Sequence, residues 1–303
     1  MQNYRIGDVI RKKRESLNVS QEELCYGICA TSTLSKIETG ISVPKKITLD
    51  KLMDKLGIKT EHYYDMISDD DFVLEDIKYK IISANVNNEY EKANKLLEDF
   101  EKLPQASETF NRQFFLRSKT LSDKSLSQND ISKMLYDAIR LTTPQFDENN
   151  IGKCLLGIED VKVLVNIANV YSKEKLYSKA INIFEQLFKY TESHFIDTEE
   201  KAVILILITY NYSRVLSLEE KYDKAIEIAD IGIECCKKYN RTKFYGEILA
   251  NKAYSLCKKG CMTQGKTAYQ KSALIFFCFD EVEKFNTVIR VAKERFELII
   301  EQI

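Results

Sequence analysis

Three asparagines, Asn169, Asn211 and Asn251, recur at spacings of 42 and 40 residues, each inside a run of helix-forming residues. A carboxamide carries both donor and acceptor, so a row of them can hydrogen-bond a peptide backbone whatever its side chains. On a helical wheel Asn169 lies opposite Val163, Leu164, Ile167, Val170 and Tyr171, and Asn251 opposite Leu249, Ala253 and Leu256, so both are expected to face away from the helix–helix contact. The same row also suits helix-surface residues that a repeat inherits without using. Arg214, three residues after Asn211, suits a ligand carboxylate or a salt bridge to a neighbouring helix. Leu207 and Tyr254, about a turn from two of the asparagines, suit apolar pockets or the core. A second group is hydroxylic: Thr31, Ser32, Thr33 and Ser35 crowd one short segment together with Lys36. Small polar side chains with a cation are what the major groove of double-stranded DNA admits. The groupings that catalysis needs do not occur: there is no phosphate-binding G-x-x-x-x-G-K-[ST] run, no G-x-S-x-G elbow, and no paired carboxylates or Cys/His couple at plausible spacing. We expect no enzyme and no cofactor.

The hydroxylic segment must be positioned by the elements around it. Apolar residues Ile6, Val9, Ile10 and Leu17 form one helical stripe, with the cations Arg11 to Arg14 elsewhere around the barrel. Ser20-Gln21-Glu22-Glu23 reads as a capping box that starts a second helix running through Leu24 and Ile28. Thr31 to Gly40 follows as a third short helix, with Leu34 and Ile37 buried and Gly40 placed to stop it. Two short helices joined by a tight turn, the second small and hydroxylated, resemble a helix-turn-helix of the XRE/Cro type. The likeness rests on S-Q-E-E-L, L-S-K-I-E-T-G and the trailing Val43, Pro44, Leu49, Leu52, Leu56 and Gly57. It implies that Thr31, Ser32, Thr33 and Lys36 approach base edges and that Ser35 touches a phosphate or base. Gln21 would touch a phosphate or buttress a base-reading side chain, and Glu38 would hold the fold. Where the family often has a turn glycine, this chain reads Ile28-Cys29. Lys45 and Lys46 suit phosphate contacts and an ordinary solvated surface equally. A helix is expected near residues 48–56, and the acidic Ser68-Asp69-Asp70-Asp71 places a domain boundary between a head of residues 1–67 and the remaining 68–303.

In the longer part, Tyr90-Glu91-Lys92-Ala93, Tyr177-Ser178-Lys179-Ala180 and Tyr222-Asp223-Lys224-Ala225 repeat one pattern, with Ala138 and Gly265 at related positions. The steps of 45 and 40 residues from Ala180 to Ala225 and on to Gly265 resemble tetratricopeptide repeats with lengthened loops. A small side chain early in the second helix lets two helices approach closely. Five pairs are expected, at 72–103, 107–142, 157–191, 198–239 and 241–279, with a last helix near residues 281–303 as a cap. Such pairs stack into a right-handed superhelix whose concave face binds something extended. The fold class is therefore all-α.

Composition agrees with helix: 10 Gly and 3 Pro in 303 residues leave few turns for an all-β fold. Lys+Arg total 45 against Asp+Glu 46, so no overall basicity advertises nucleic acid or membrane. Residues 1–65 hold 11 cations and 9 anions, a small excess of the sign DNA binding needs. Eight cysteines with only two histidines, and no C-x-x-C, read as reduced thiols and buried filler with no metal site. The first twenty residues lack the apolar core of a signal peptide, and the longest uncharged apolar candidate, Ala202–Tyr210, is far too short to cross a bilayer. A cytoplasmic protein with no membrane partner is expected.

Taken together, a helix-turn-helix followed by about five pairs resembles the RRNPP family of Gram-positive cytoplasmic receptors for signalling peptides, and within it the PlcR-type transcription regulators. The likeness is strongest over Ile167–Leu187, in I-A-N-V-Y and L-Y-S-K-A-I-N-I-F-E-Q-L, and over Tyr210–Ala225. It implies a homodimer on a palindromic operator, a short signalling oligopeptide in the repeat groove, and Asn169 and Asn211 as clamps on its backbone. Asn251 stands where the family has a related amide. The family's basic groove residues in the first repeat are not recognisable here, where the turn reads Asn85-Val86-Asn87-Asn88. Two other readings stay open, a groove that takes a partner protein and repeats that serve only dimerisation.

Overall fold

A computed structural model describes residues 6–58, 69–194 and 198–300 of the chain, and among them every regular element is a helix. In the head, α1 (Ile6–Ser16), α2 (Gln21–Cys25), α3 (Thr31–Glu38) and α4 (Lys46–Lys55) enclose Ile10, Leu24, Leu34, Ile37, Leu49, Leu52, Met53 and Leu56. The capping box at Ser20 forms as expected: the Glu23 amide donates to Ser20 Oγ at 3.1 Å and the Ser20 amide to Glu23 Oε2 at 2.7 Å. The second helix does not run through Ile28. It stops at Cys25, because Gly27 takes a φ of +71° and turns the chain. The turn glycine is therefore present, one residue before the Ile28-Cys29 step. Gly40, at +74°, ends α3 as expected.

Five helix pairs follow: α5 (Asp69–Val86) with α6 (Tyr90–Glu101), α7 (Thr109–Ser122) with α8 (Gln128–Thr142), α9 (Ile158–Lys173) with α10 (Tyr177–His194), α11 (Thr198–Leu218) with α12 (Tyr222–Lys238), and α13 (Tyr245–Lys258) with α14 (Met262–Cys278). Ala93, Ala180, Ala225 and Gly265 are buried near the start of their second helices, whereas Ala138, also buried, lies toward the end of α8 and not early in it as the pattern predicts. A Cβ on Gly265 would sit 2.2 Å from Cys257 Sγ, which shows how closely α13 and α14 approach. The last helix, α15 (Val282–Phe296), is shorter than expected. Glu297 adopts a left-handed φ of +57° and ends it, and residues 301–303 lie outside the described residues, as does the expected head boundary at 67 and 68.

The turns inside four of the pairs and the turn from α14 into α15 share one backbone device. Asn88, Lys175, Glu220, Gly260 and Asp280 have positive φ, and the next residue's amide reaches back to close the turn. The bonds are Glu89 to Ala84 (2.8 Å), Leu176 to Tyr171 (2.8 Å), Lys221 to Leu216 (2.9 Å), Cys261 to Leu256 (2.9 Å) and Glu281 to Phe276 (2.9 Å). These satisfy carbonyls that a helix end otherwise leaves bare.

By compactness the chain forms two units, residues 1–170 with 194–197, and residues 171–193 with 198–303. Within the first unit the head is tied to the second and third pairs. Lys55, 1% exposed, points its Nζ at the Thr142 carbonyl at 3.2 Å. Asp54 accepts from the Ile158 amide at 3.2 Å, at the start of α9. Asp160 accepts from Gln113 at 2.6 Å, from the Gly157 amide at 2.9 Å, and from Thr142 Oγ1. Burial pushes the Lys55 ammonium below and the Asp160 carboxyl above their ordinary ranges.

Candidate functional site

The head presents the hydroxylic face that its sequence marks out. Leu34, Ile37 and Glu38 of α3 are buried, Thr31, Ser32, Thr33 and Lys36 are exposed, and Ser35 is half-buried. Rigidity comes from beneath. Arg14 grips Glu38 with two bonds, Nε to Oε1 at 2.7 Å and Nη2 to Oε2 at 2.9 Å, and a third N–H donates to the Val19 carbonyl at 2.9 Å. Gln21 Nε2 donates to Glu38 Oε2 at 2.7 Å. One carboxylate thus joins α1, α2 and α3. Burial alone would raise the Glu38 pKa, but the hydrogen bonds from Arg14 and Gln21 and the guanidinium charge win, and the carboxyl lies below its ordinary range. Gln21 thus braces α3 through Glu38. Of the four consecutive cations in α1, Arg14 is committed to this core and Arg11 pairs with Glu15 at 2.9 Å. Lys45 is exposed, while Lys46 pairs with Asp50 at 3.0 Å.

On α9, Asn169 is half-buried, with Val163, Leu164, Ile167 and Val170 buried on the other side. One turn earlier stands Asn166, whose buried Nδ2 has no hydrogen-bond partner among the described residues. Sequence reasoning missed this amide. Its signal was available, a polar residue three positions before Asn169 in an otherwise apolar run. Still earlier on the helix, Glu159 is held at about 2: burial opposes its charge, and the cations Arg117 and Lys162 overcome that.

Of the remaining amides, Asn211 is 5% exposed and bonds back to its own helix, Nδ2 to the Leu207 carbonyl at 2.9 Å. The expectation that Asn251 faces away from the helix contacts is corrected. Its Nδ2 donates to the Tyr210 carbonyl at 3.0 Å and to Ser213 Oγ at 3.1 Å, tying α13 to α11. The reason is the close approach of these two helices, which also brings Ser217 and Ser255 hydroxyls to 2.7 Å and brings α11's polar atoms within the amide's reach. The apolar face of α11 is largely covered, and its buried polar positions extend beyond Asn211 to Thr209, Ser213 and Ser217. Leu207 and Arg214 are half-buried on the same helix. Tyr254 is half-buried and meets Phe296 of α15 edge-on at 5.4 Å between ring centres. The structure thus brings Asn211, Leu207 and Asn251 together around α11 and α13.

A head with a rigidly backed, hydroxylic third helix, placed ahead of helical pairs lined with amides, defines the architecture of a helix-turn-helix protein with a repeat-built second part. A helix-turn-helix family model matches residues 10–63, and the RNPP family C-terminal domain matches residues 78–298, so the chain belongs to the RNPP family. No curated protein matches the chain. Among solved structures it resembles Bacillus thuringiensis PlcR in complex with the peptide PapR7 and DNA, at 20% identity and a TM-score of 0.61, covering 95% of this chain and 99% of that one. It also resembles ComR from S. thermophilus in complex with DNA and its signalling peptide ComS, at 17% identity and a TM-score of 0.52, over 97% and 100% of the two chains.

Proposed function

We propose that the chain is a cytoplasmic transcription regulator, not an enzyme, that binds palindromic double-stranded DNA as a homodimer and whose operator affinity is set by a short signalling peptide. The observation that carries the reading is the third helix of the head, with Thr31, Ser32, Thr33 and Lys36 exposed over a buried Arg14–Glu38–Gln21 brace. Such a surface reads bases only when its backbone is held still. Lys45 supplies a phosphate contact, and Ser35 lies at the margin of the face. Membership of the RNPP family supports the peptide, since PlcR and ComR were each solved with DNA and a peptide. Asn169 on α9 is proposed as one peptide contact. Asn211, Arg214 and Asn251, with Leu207 and Tyr254 as apolar neighbours, are proposed as the others.

The internal bonds of Asn211 and Asn251 favour a second reading for those two, as ties that hold α11 to α13. Replacing each by Ala separates the two roles. A peptide contact is lost with the melting temperature unchanged, whereas a tie is lost with a drop in stability of about 1 kcal/mol. The regulator itself is tested by gel shift on the intergenic DNA beside its gene, with and without a synthetic heptapeptide encoded nearby. A peptide moves the equilibrium only if it binds the two head arrangements unequally. Failure to bind that DNA under either condition would contradict the reading.

A further inference from the structure

Two cations on successive first helices share a single carboxylate. Arg117 of α7 donates its Nε to Glu159 Oε1, and Lys162 of α9 donates to Glu159 Oε2 at 3.3 Å. The guanidinium is nearly buried, its side chain 10% exposed, and lies 6.0 Å from the centre of the Phe114 ring. Its two Nη groups make no hydrogen bond among the described residues. Lys162, with its side chain 36% exposed, likewise gives only Glu159 a bond there. One turn further along α9 stands Asn166, with its unpartnered Nδ2. Between Val161 and Val170 every residue is buried except Lys162, Asn166 and Asn169, so these three form one open stripe of the helix.

Arg117, Lys162 and Glu159 sum to one positive charge, and among the described residues no other carboxylate bonds to either cation. The groups left over are donors. Unspent donors on a guanidinium this deep call for an acceptor. The acceptor that fits is a carboxylate, whose two coplanar oxygens match the paired N–H groups of an arginine. We infer that Arg117 and Lys162, with Asn166 beside them, form a carboxylate subsite for the signalling peptide, continuous along α9 with Asn169. Glu159 positions both cations. The inference rests on the peptide reading above and adds one property of the ligand: it brings an anionic group, its terminal carboxylate or an Asp or Glu side chain, to the start of α9.

Heptapeptides captured by the full chain from a random synthetic pool test it. Each captured peptide is remade as the free acid, as the C-terminal amide, and with its Asp and Glu replaced by Asn and Gln. One of the two neutral forms is expected to bind roughly tenfold more weakly than the free acid, and which one it is identifies the source of the carboxylate. In Arg117→Gln and Lys162→Gln that ratio should shrink below about threefold while the neutral form binds as it does to wild type, a coupling that misfolding cannot imitate. Lys162→Gln, at the more exposed cation, keeps the test open should Arg117→Gln fail to fold. Captured peptides that bind equally well without any carboxylate, or a ratio unchanged in Lys162→Gln, would overturn the subsite and leave peptide sensing standing. A wild type that captures no peptide would overturn both.

Discussion

Glu38 is the residue on which the packing of the head's first three helices depends. It is 4% exposed and receives Arg14 twice and Gln21 once, so removing its charge leaves a guanidinium buried without its partner. Breaking such a pair from one side costs about 3–5 kcal/mol. Glu38→Ala should therefore unfold the head, and thermal melting followed by circular dichroism should show it. A loss under 1 kcal/mol would mean that the brace is dispensable. His194 makes a pH-dependent prediction. Burial lowers its pKa from 6.5 to about 4, with its Nε2 3.0 Å from the Lys55 carbonyl. A depressed folded pKa means that the unfolded chain takes up the proton first. Stability is then whole above pH 6.5 and declines toward pH 4, by about 3 kcal/mol at most. Denaturant titrations across that range should show the decline in wild type and a flatter profile in His194→Asn. At this scale the sequence was informative where a motif is local, as in Ser20 with Glu23, and silent where partners are distant. Nothing in the order of residues announces that Asp160 meets Gln113, 47 positions away.

Between elements, backbone approach decides. A Cβ on Gly7 would lie 2.0 Å from the Ile37 carbonyl oxygen, so α1 and α3 touch main chain to main chain. Alanine gains about 1 kcal/mol of helix propensity over glycine, but here it collides with an atom that no rotamer can move aside. Gly7→Ala should destabilise the head by more than 2 kcal/mol, the range of severe overpacking, as measured by denaturant unfolding. Glu220 runs the other way. It sits at φ +59° in the turn between α11 and α12, a conformation that costs an L-residue about 1 kcal/mol or more. Glu220→Gly should raise stability by roughly 0.5–1 kcal/mol, and a decrease would show that the side chain contributes something the turn needs. Four of the five pairs were legible because each has a small residue early in its second helix and an apolar periodicity around it; the second pair, whose Ala138 falls late in α8, rested on the periodicity alone. The turns were less so, since only Gly260 among the five positive-φ turn residues is a glycine. Asn251 was misread for a similar reason: a helical wheel shows which side a residue occupies on its own helix, not which neighbouring helix comes within 3.0 Å of it.

As a whole, the molecule joins a helix-turn-helix head to a run of helix pairs, and the central proposal is that a peptide acting on the pairs alters what the head binds. The first unit gives the head firm footing, since Lys55 and Asp54 of α4 hold the second pair and the start of α9. That same α9 carries Asn166 and Asn169. Asn169→Ala should therefore lower peptide affinity by roughly tenfold, about the worth of one hydrogen bond to a ligand backbone, while leaving peptide-free DNA binding unchanged. Fluorescence anisotropy on labelled intergenic DNA, titrated with the protein in the absence and in the saturating presence of the neighbouring gene's synthetic peptide, is the most direct measurement of the central claim. The account predicts operator affinities that differ at least tenfold between the two conditions; identical curves with the peptide demonstrably bound would contradict it.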